Sequence, residues 1–284
     1  MTPVTALRLG LIGDNIAASR APVLHGLAGA QNGMDVTYDR LVPAALSETF
    51  EQVFKRCRSG GYRGINVTYP YKERATVGLR VEDPLVRAIG AVNTIIFEAD
   101  EPRGYNTDYT GFIAAYRQMR ADAPTGPVLM IGTGGVGRAV AFGLVALGTT
   151  DLRLVDLDQD KAEALARDLR RAAPQMHVMV STDATQAAQG AAGLINCTPV
   201  GMVGYAGTPL PRAAMTGVGK TRAGWAFDAV YTPVDTQFLT DAAAEGREVI
   251  SGWELFFFQG VHAWKIFADL PLDEVKLRAD LLAG

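Results

Sequence analysis

The sequence has few cysteines, no excess of charge of either sign and no long apolar run. Its 284 residues include only two cysteines. Cys57 and Cys197 lie far apart and match no metal-ligand spacing, so they are expected to be buried, reduced thiols and not a disulfide or metal site. Twenty-seven basic and 30 acidic side chains leave a formal charge of −3. With no Lys/Arg cluster, the basic footprint of a nucleic-acid-binding protein is missing. No segment approaches the ~18 apolar residues of a membrane span, and the start MTPVTALRLGLIG lacks the charged end and apolar core of a signal peptide. Internal repeats and low-complexity tracts are also missing. The expectation is a cytoplasmic protein with a small-molecule partner, no nucleic acid and no membrane. This length suits two modest domains, and 48% hydrophobic with 20% charged residues is enough for real cores.

The most informative stretch is residues 128–156, VLMIGTGGVGRAVAFGLVALGTTDLRLVD. The apolar VLMI reads as a buried parallel strand, and Gly132, Gly134 and Gly137 supply the G-x-G-x-x-G that follows such a strand in dinucleotide sites. The first glycine allows the tight turn, the second admits a pyrophosphate, and the third lets the helix pack on the sheet. A helix from about Gly135 then directs its free N–H groups, among them those of Gly135, Val136 and Gly137, at the phosphates. A second strand ends on Asp156, where a carboxylate should meet the adenosine ribose. A carboxylate accepts hydrogen bonds from a ribose 2′-hydroxyl and repels a 2′-phosphate. Asp158 and Asp160 add negative charge, so NAD is expected over NADP. The same turn would also suit a flavin, S-adenosylmethionine, or close packing alone.

Around this stretch the chain alternates strands and helices, an α/β pattern. Ser19 and Arg20 precede a helix opening near Pro22, a place for an N-cap or a bound anion. His25 reads as a packed helix residue. A strand at Gly64–Thr68 must end before Pro70, which sets Asn66, Thr68 and Lys72 at a strand's carboxyl end, where open α/β sheets bind ligands. Asn93 precedes a further strand, and Asp108 begins a helix running to Arg120. A helix is expected over residues 46–56, the stretch ELFFFQGVHAWKIFADL near the chain's end is apolar at helical spacing, and residues 121–127, ADAPTGP, read as a linker. Thr198 and Pro199 follow a later strand and are expected beside a nicotinamide. Val230, at the end of another strand, and Gly252, opening the final section, are expected to line the same cofactor site.

Asn66-Val-Thr-x-Pro-x-Lys72, Gly90-Ala-Val-Asn93-Thr, Asn106-Thr-Asp108 with Gly111, the glycine loop, Asn196-x-Thr-Pro-x-Gly-Met202, Asp228-x-x-Tyr231-x-Pro-x-x-Thr236 and Gln259 occur in one order. Together they resemble the shikimate and quinate dehydrogenase family across nearly the whole chain. The resemblance implies an N-terminal α/β substrate domain (residues 1–109 with 253–284) and a Rossmann-type doubly wound parallel sheet (residues 110–252) for NAD. It makes Lys72 and Asp108 the catalytic pair, with Ser19, Asn66, Thr68, Asn93, Tyr231 and Gln259 holding a cyclic polyhydroxy carboxylate. The implied reaction is oxidation of a ring secondary alcohol of shikimate or quinate to the 3-dehydro ketone, in a monomer or homodimer. The alternative for Lys72 and Asp108 is an ordinary salt bridge. In the first loop the family's H-S-x-S-P is here Ala18-Ser19-Arg20-Ala21-Pro22, which removes one hydroxyl. Ser-Arg in this place is similar to the NAD-using quinate/shikimate branch. It would equally suit a related acid such as aminoshikimate. A methylenetetrahydrofolate dehydrogenase, a glutamyl-tRNA reductase and a non-catalytic sensor of the same ligands are the competing readings.

Overall fold

The computed structural model describes residues 6–216 and 224–283. By its internal contacts the chain forms two units, Met1–Thr107 with Gln259–Gly284, and Asp108–Phe258.

The first unit begins with β1 (Ala6–Ile12), α1 (Ala21–Gln31), β2 (Asp35–Leu41), α2 (Pro43–Leu46), α3 (Phe50–Ser59) and β3 (Gly64–Val67). It continues through α4 (Pro84–Ile89), β4 (Thr94–Ile96) and β5 (Arg103–Tyr105). The five strands lie in the order β2-β1-β3-β4-β5. β2, β1 and β3 run parallel, while β4 and β5 close the edge antiparallel. Every residue of β3 is buried, which explains its GINV composition. A Cβ on Gly64 would lie 2.5 Å from Ile95 O and from the Phe267 ring. The single helix expected over residues 46–56 is broken in two. Ser47 takes a left-handed conformation, φ 56°, and Thr49 restarts the chain with a capping box to Gln52.

The second unit takes in most of α5 (Thr107–Arg120), then β6 (Val128–Ile131), α6 (Gly135–Ala146), β7 (Asp151–Val155), α7 (Gln159–Ala172), β8 (His177–Ser181) and α8 (Ala184–Ala187). It ends with β9 (Gly193–Asn196), β10 (Trp225–Asp228), α9 (Gln237–Ala244), β11 (Glu248–Ile250) and the start of α10 (Gly252–Ala268). Its six-stranded sheet, ordered β11-β10-β9-β6-β7-β8, is parallel throughout. That is the doubly wound arrangement, with its topological switch between β6 and β9, where such folds bind dinucleotides. The segment expected as a linker lies inside this unit. Thr125 O accepts the Trp225 indole N–H at 2.9 Å, and the Thr125 and Thr149 hydroxyls bond at 2.9 Å.

The rest of α10 and α11 (Glu274–Ala283) return to the first unit, where Ala263, Trp264 and Phe267 pack with Leu7, Leu9 and Ala28. The apolar stretch expected to be helical is α10, and α11 follows it as a second terminal helix. No helix among the described residues is long and apolar enough to cross a membrane.

Candidate active site

In the first unit, two loops at the carboxyl ends of the parallel strands are tied together. Thr68 N–H donates to Ile12 O at 2.9 Å, and Asp14 N–H to Tyr69 O at 3.0 Å. The Tyr71 hydroxyl reaches Asp14 Oδ1 at 3.2 Å, and its ring stacks on Phe50, centroids 5.2 Å apart. Lys72 follows directly, its carbonyl held by Val92 N–H at 3.0 Å. The Thr68 side chain is half-buried, and its hydroxyl has no hydrogen-bond partner among the described residues. Ser19 is not the N-cap of α1. That position is Arg20, which makes no side-chain cap bond. Ser19 Oγ accepts the Ala21 N–H at 3.3 Å. The Arg20 guanidinium docks on Leu281 O at 2.5 Å, where it satisfies a terminal carbonyl of α11.

Between β1 and β4, Asn66 is 7% exposed. Its Oδ1 accepts the Tyr38 hydroxyl at 2.8 Å. Its Nδ2 donates to Thr94 Oγ1 at 3.0 Å and to Asn93 O at 3.3 Å, so both amide protons are spent within the protein. Asn93 is held from one end only. Its Oδ1 accepts the Thr107 N–H at 2.7 Å and the hydroxyls of Thr107 and Thr94, both at 3.1 Å. A backbone N–H is only a donor, so it fixes which end of the amide is oxygen. Asn93 Nδ2 has no partner among the described residues, and it is the end available to a ligand. Asp108 is 8% exposed in the first turn of α5. His25 is packed as expected. It stacks on Tyr38 at 5.2 Å and meets Phe267 edge-on at 5.6 Å, and burial lowers its pKa to about 3.

In the second unit the glycine turn has the geometry a pyrophosphate requires. Gly132 turns off β6 with φ +96°, and a Cβ on Gly137 would sit 2.2 Å from Gly132 O, so α6 packs directly on the turn. Gly134 caps α6 without a side-chain bond, and a Cβ on Gly134 or Gly135 would meet nothing within 4 Å. An uncapped helix N-terminus facing open space fits a dinucleotide phosphate. At the end of β7, Asp156 Oδ2 accepts the Thr133 N–H at 2.6 Å and the Thr133 hydroxyl at 2.7 Å, and Oδ1 accepts the Asp158 N–H at 2.9 Å. Burial alone would raise its pKa. The bonds from Asp158 and Thr133, with the charge of Lys161, outweigh this and hold it below the usual value.

The turns after β9 and β10 share a buried network. Asn196 Oδ1 accepts the N–H and hydroxyl of Thr198 at 2.9 and 2.7 Å. Asn196 Nδ2 donates to Val200 O at 3.0 Å and to Asp228 Oδ1 at 2.9 Å. Asp228 also accepts the Val230 N–H at 2.9 Å and the Thr236 hydroxyl at 2.6 Å. Val230 and Gly252 are neighbours, since a Cβ on Gly252 would lie 2.5 Å from Val230 O. Pro199 is exposed, and the Tyr231 ring stacks on Phe256 at 5.5 Å. Gln259 is half-buried in α10. Both cysteines are free, Cys57 buried and Cys197 only partly so. Thr133, Tyr38, Thr94 and Thr107 hold site residues in place and were not singled out from the sequence.

A chain with one doubly wound unit carrying an open glycine turn and one α/β unit rich in buried amides and hydroxyls has the make-up of the two-unit dinucleotide-dependent oxidoreductases. Residues 11–95 match the family described as shikimate dehydrogenase substrate binding domain. The chain is 34% identical over 284 residues to a quinate/shikimate dehydrogenase (NAD(+)) of Corynebacterium efficiens, covering 98% of each. It is also 34% identical to a shikimate dehydrogenase (NADP(+)) of Pseudarthrobacter chlorophenolicus, covering 96% of this chain and 94% of that one. The structure of a quinate dehydrogenase from Corynebacterium glutamicum in complex with NAD superposes with a TM-score of 0.91 at 30% identity, over 98% of this chain and 99% of that one. The chain belongs to the shikimate/quinate dehydrogenase family.

Proposed function

We propose that this chain oxidises a ring secondary alcohol of shikimate or quinate to the 3-dehydro ketone, reversibly, with NAD. The observation that carries the reading is the full-length similarity to an NAD-type quinate/shikimate dehydrogenase. Relatives of equal identity use NADP, so identity does not choose the cofactor. Asp156 is read as making that choice, because a carboxylate at the end of the second strand accepts a ribose 2′-hydroxyl and repels a 2′-phosphate. Bound NAD supplies the hydride acceptor. Gly134, Gly135, Val136 and Gly137 hold its pyrophosphate, and Thr198, Pro199, Val230 and Gly252 line its nicotinamide end.

The substrate is held by the residues that the family resemblance implies. Lys72 Nζ takes the hydroxyl proton as the hydride leaves, and Asp108 orients the same hydroxyl. Asn93 donates through Nδ2. Thr68, Tyr231 and Gln259 bond the remaining ring oxygens, and Ser19 meets the carboxylate. Asn66 acts by bracing Asn93 and Thr94.

The test is the initial rate at 340 nm with shikimate and quinate against NAD and NADP. The expected result is turnover with NAD far above NADP, lost in Lys72→Ala. A sensor would keep ligand binding without turnover in the wild type. No turnover of either acid, with NAD binding intact, would overturn the substrate reading and direct the search to amino analogues.

A further inference from the structure

We propose that Thr133 is a positioning residue for cofactor choice: its hydroxyl locks the Asp156 carboxylate where it takes a ribose hydroxyl and excludes a 2′-phosphate. The proposal deepens the NAD reading above and rests on it. Thr133 occupies the variable position between the first two glycines of the turn, where dinucleotide binding requires no particular side chain. It is 6% exposed, and it gives two hydrogen bonds to a single carboxylate oxygen, N–H at 2.6 Å and O–H at 2.7 Å.

A carboxylate oxygen has two lone-pair sites, so Thr133 fills Oδ2. Oδ1 already accepts the Asp158 N–H at 2.9 Å and has one lone pair left. The loop behind is held as well, with Gln159 Nε2 on Asp156 O at 2.9 Å. Two consequences follow. Asp156 can accept one ribose hydroxyl, through Oδ1, and not a pair. It also cannot swing aside to relieve the repulsion of a 2′-phosphate of about −1.5 to −2 charges, because rotation would break three charge-assisted bonds together. Asp156 supplies the repelling charge, and Thr133 prevents its escape.

Removing the hydroxyl while keeping the shape tests this. Thr133→Val retains the N–H bond and the bulk, and Thr133→Ser restores the hydroxyl. The readout is the ratio of kcat/KM with NAD to kcat/KM with NADP, alongside melting temperature and fluorescence titration with NADH and NADPH. The ratio is expected to fall about tenfold in Thr133→Val, the size expected for one bond to a charged group. It should return in Thr133→Ser. If Thr133→Val fails to fold, Thr133→Ala against Thr133→Ser makes the same comparison. A ratio unchanged or raised in a folded hydroxyl-free variant overturns the proposal, as does a serine variant that behaves like valine. Wild-type preference for NADP overturns the NAD reading and this proposal together. Preference for NAD with an unmoved ratio overturns the role of Thr133 alone.

Discussion

Asp228 offers the sharpest test of how the turns after β9 and β10 are held. It is fully buried and accepts three hydrogen bonds, from Asn196 Nδ2, Val230 N–H and the Thr236 hydroxyl. Burial nevertheless pushes its pKa up to about 6, with the three donors pulling the other way. The unfolded carboxyl titrates near 3.9. Between these values the folded chain binds a proton that the unfolded chain does not, so stability falls as pH rises through about 6. The whole gap is worth about 3 kcal/mol, of which about 1.4 kcal/mol lies between pH 5 and 8. Asp228→Asn keeps an oxygen for Asn196 and Val230, turns an N–H towards Thr236, and carries no charge. Urea unfolding at several pH values should show the variant gaining on the wild type by about 1.4 kcal/mol from pH 5 to pH 8. Asp228→Ala strands the Val230 and Asn196 donors and should cost about 3 to 5 kcal/mol at pH 7, with a raised KM for NAD. A wild-type-to-asparagine difference that stays flat with pH would refute the reasoning. The three donors would then outweigh burial, and Asp228 would be ionised throughout.

His25 shows the opposite sign. A group at about 3 folded and ~6.5 unfolded makes stability fall as pH drops below ~6.5. His25→Phe keeps the stack on Tyr38, removes a buried unpartnered Nδ1, and should gain about 2 kcal/mol over the wild type on going from pH 8 to pH 5 in the same assay. Gly137→Ala places its methyl against Gly132 O, a backbone atom that cannot move aside. It should cost about 1 to 3 kcal/mol in thermal stability and weaken NADH binding by about tenfold or more by fluorescence titration, since α6 must lift off the turn. Ala21→Ser returns a hydroxyl to the first residue of α1. It should lower the shikimate KM by about tenfold, and an unchanged KM in a folded variant would mean that the substrate carboxylate is bound elsewhere.

Much of the second unit was legible because its constraints are imposed on backbone. Gly132 needs its positive φ and Gly137 its missing Cβ, and both needs show up as glycine at fixed spacing. Elements were lost where signals were short or internal. The break at Ser47 precedes a Thr49-x-x-Gln52 capping box, a readable start signal inside a stretch taken as continuous helix. α4 carries Asp83 as N-cap, Pro84 at its first position and a left-handed Gly90 after its end, the expected punctuation for a helix, yet at six residues it shows no full apolar period. The unit boundaries at residues 107/108 and 258/259 fall within α5 and α10. Helical sequence runs straight across them, and composition does not change there. The bounds at 109/110 and 252/253 come from the family resemblance and not from any local signal at those positions.

The candidate substrate residues were legible as residue types and not as oriented groups. Asn66 and Asn93 are the same side chain, both almost fully buried, and each belongs to a motif the family resemblance carries. What separates them is which atoms the protein has already used. Asn66 spends both protons on Thr94 and Asn93 O, because β4 lies beside it in the sheet. Asn93 spends its oxygen on the start of α5 and keeps its protons. The Asn93 amide nitrogen is therefore the end left for a ligand acceptor. Apart from the neighbouring Thr94 hydroxyl on Asn93, such partners come from 14 to 28 residues away, beyond any local pattern. Thr133 makes the same point from the other unit. The glycine spacing locates the turn and leaves its second residue unspecified, and the side chain that occupies it is read only through the carboxylate it grips.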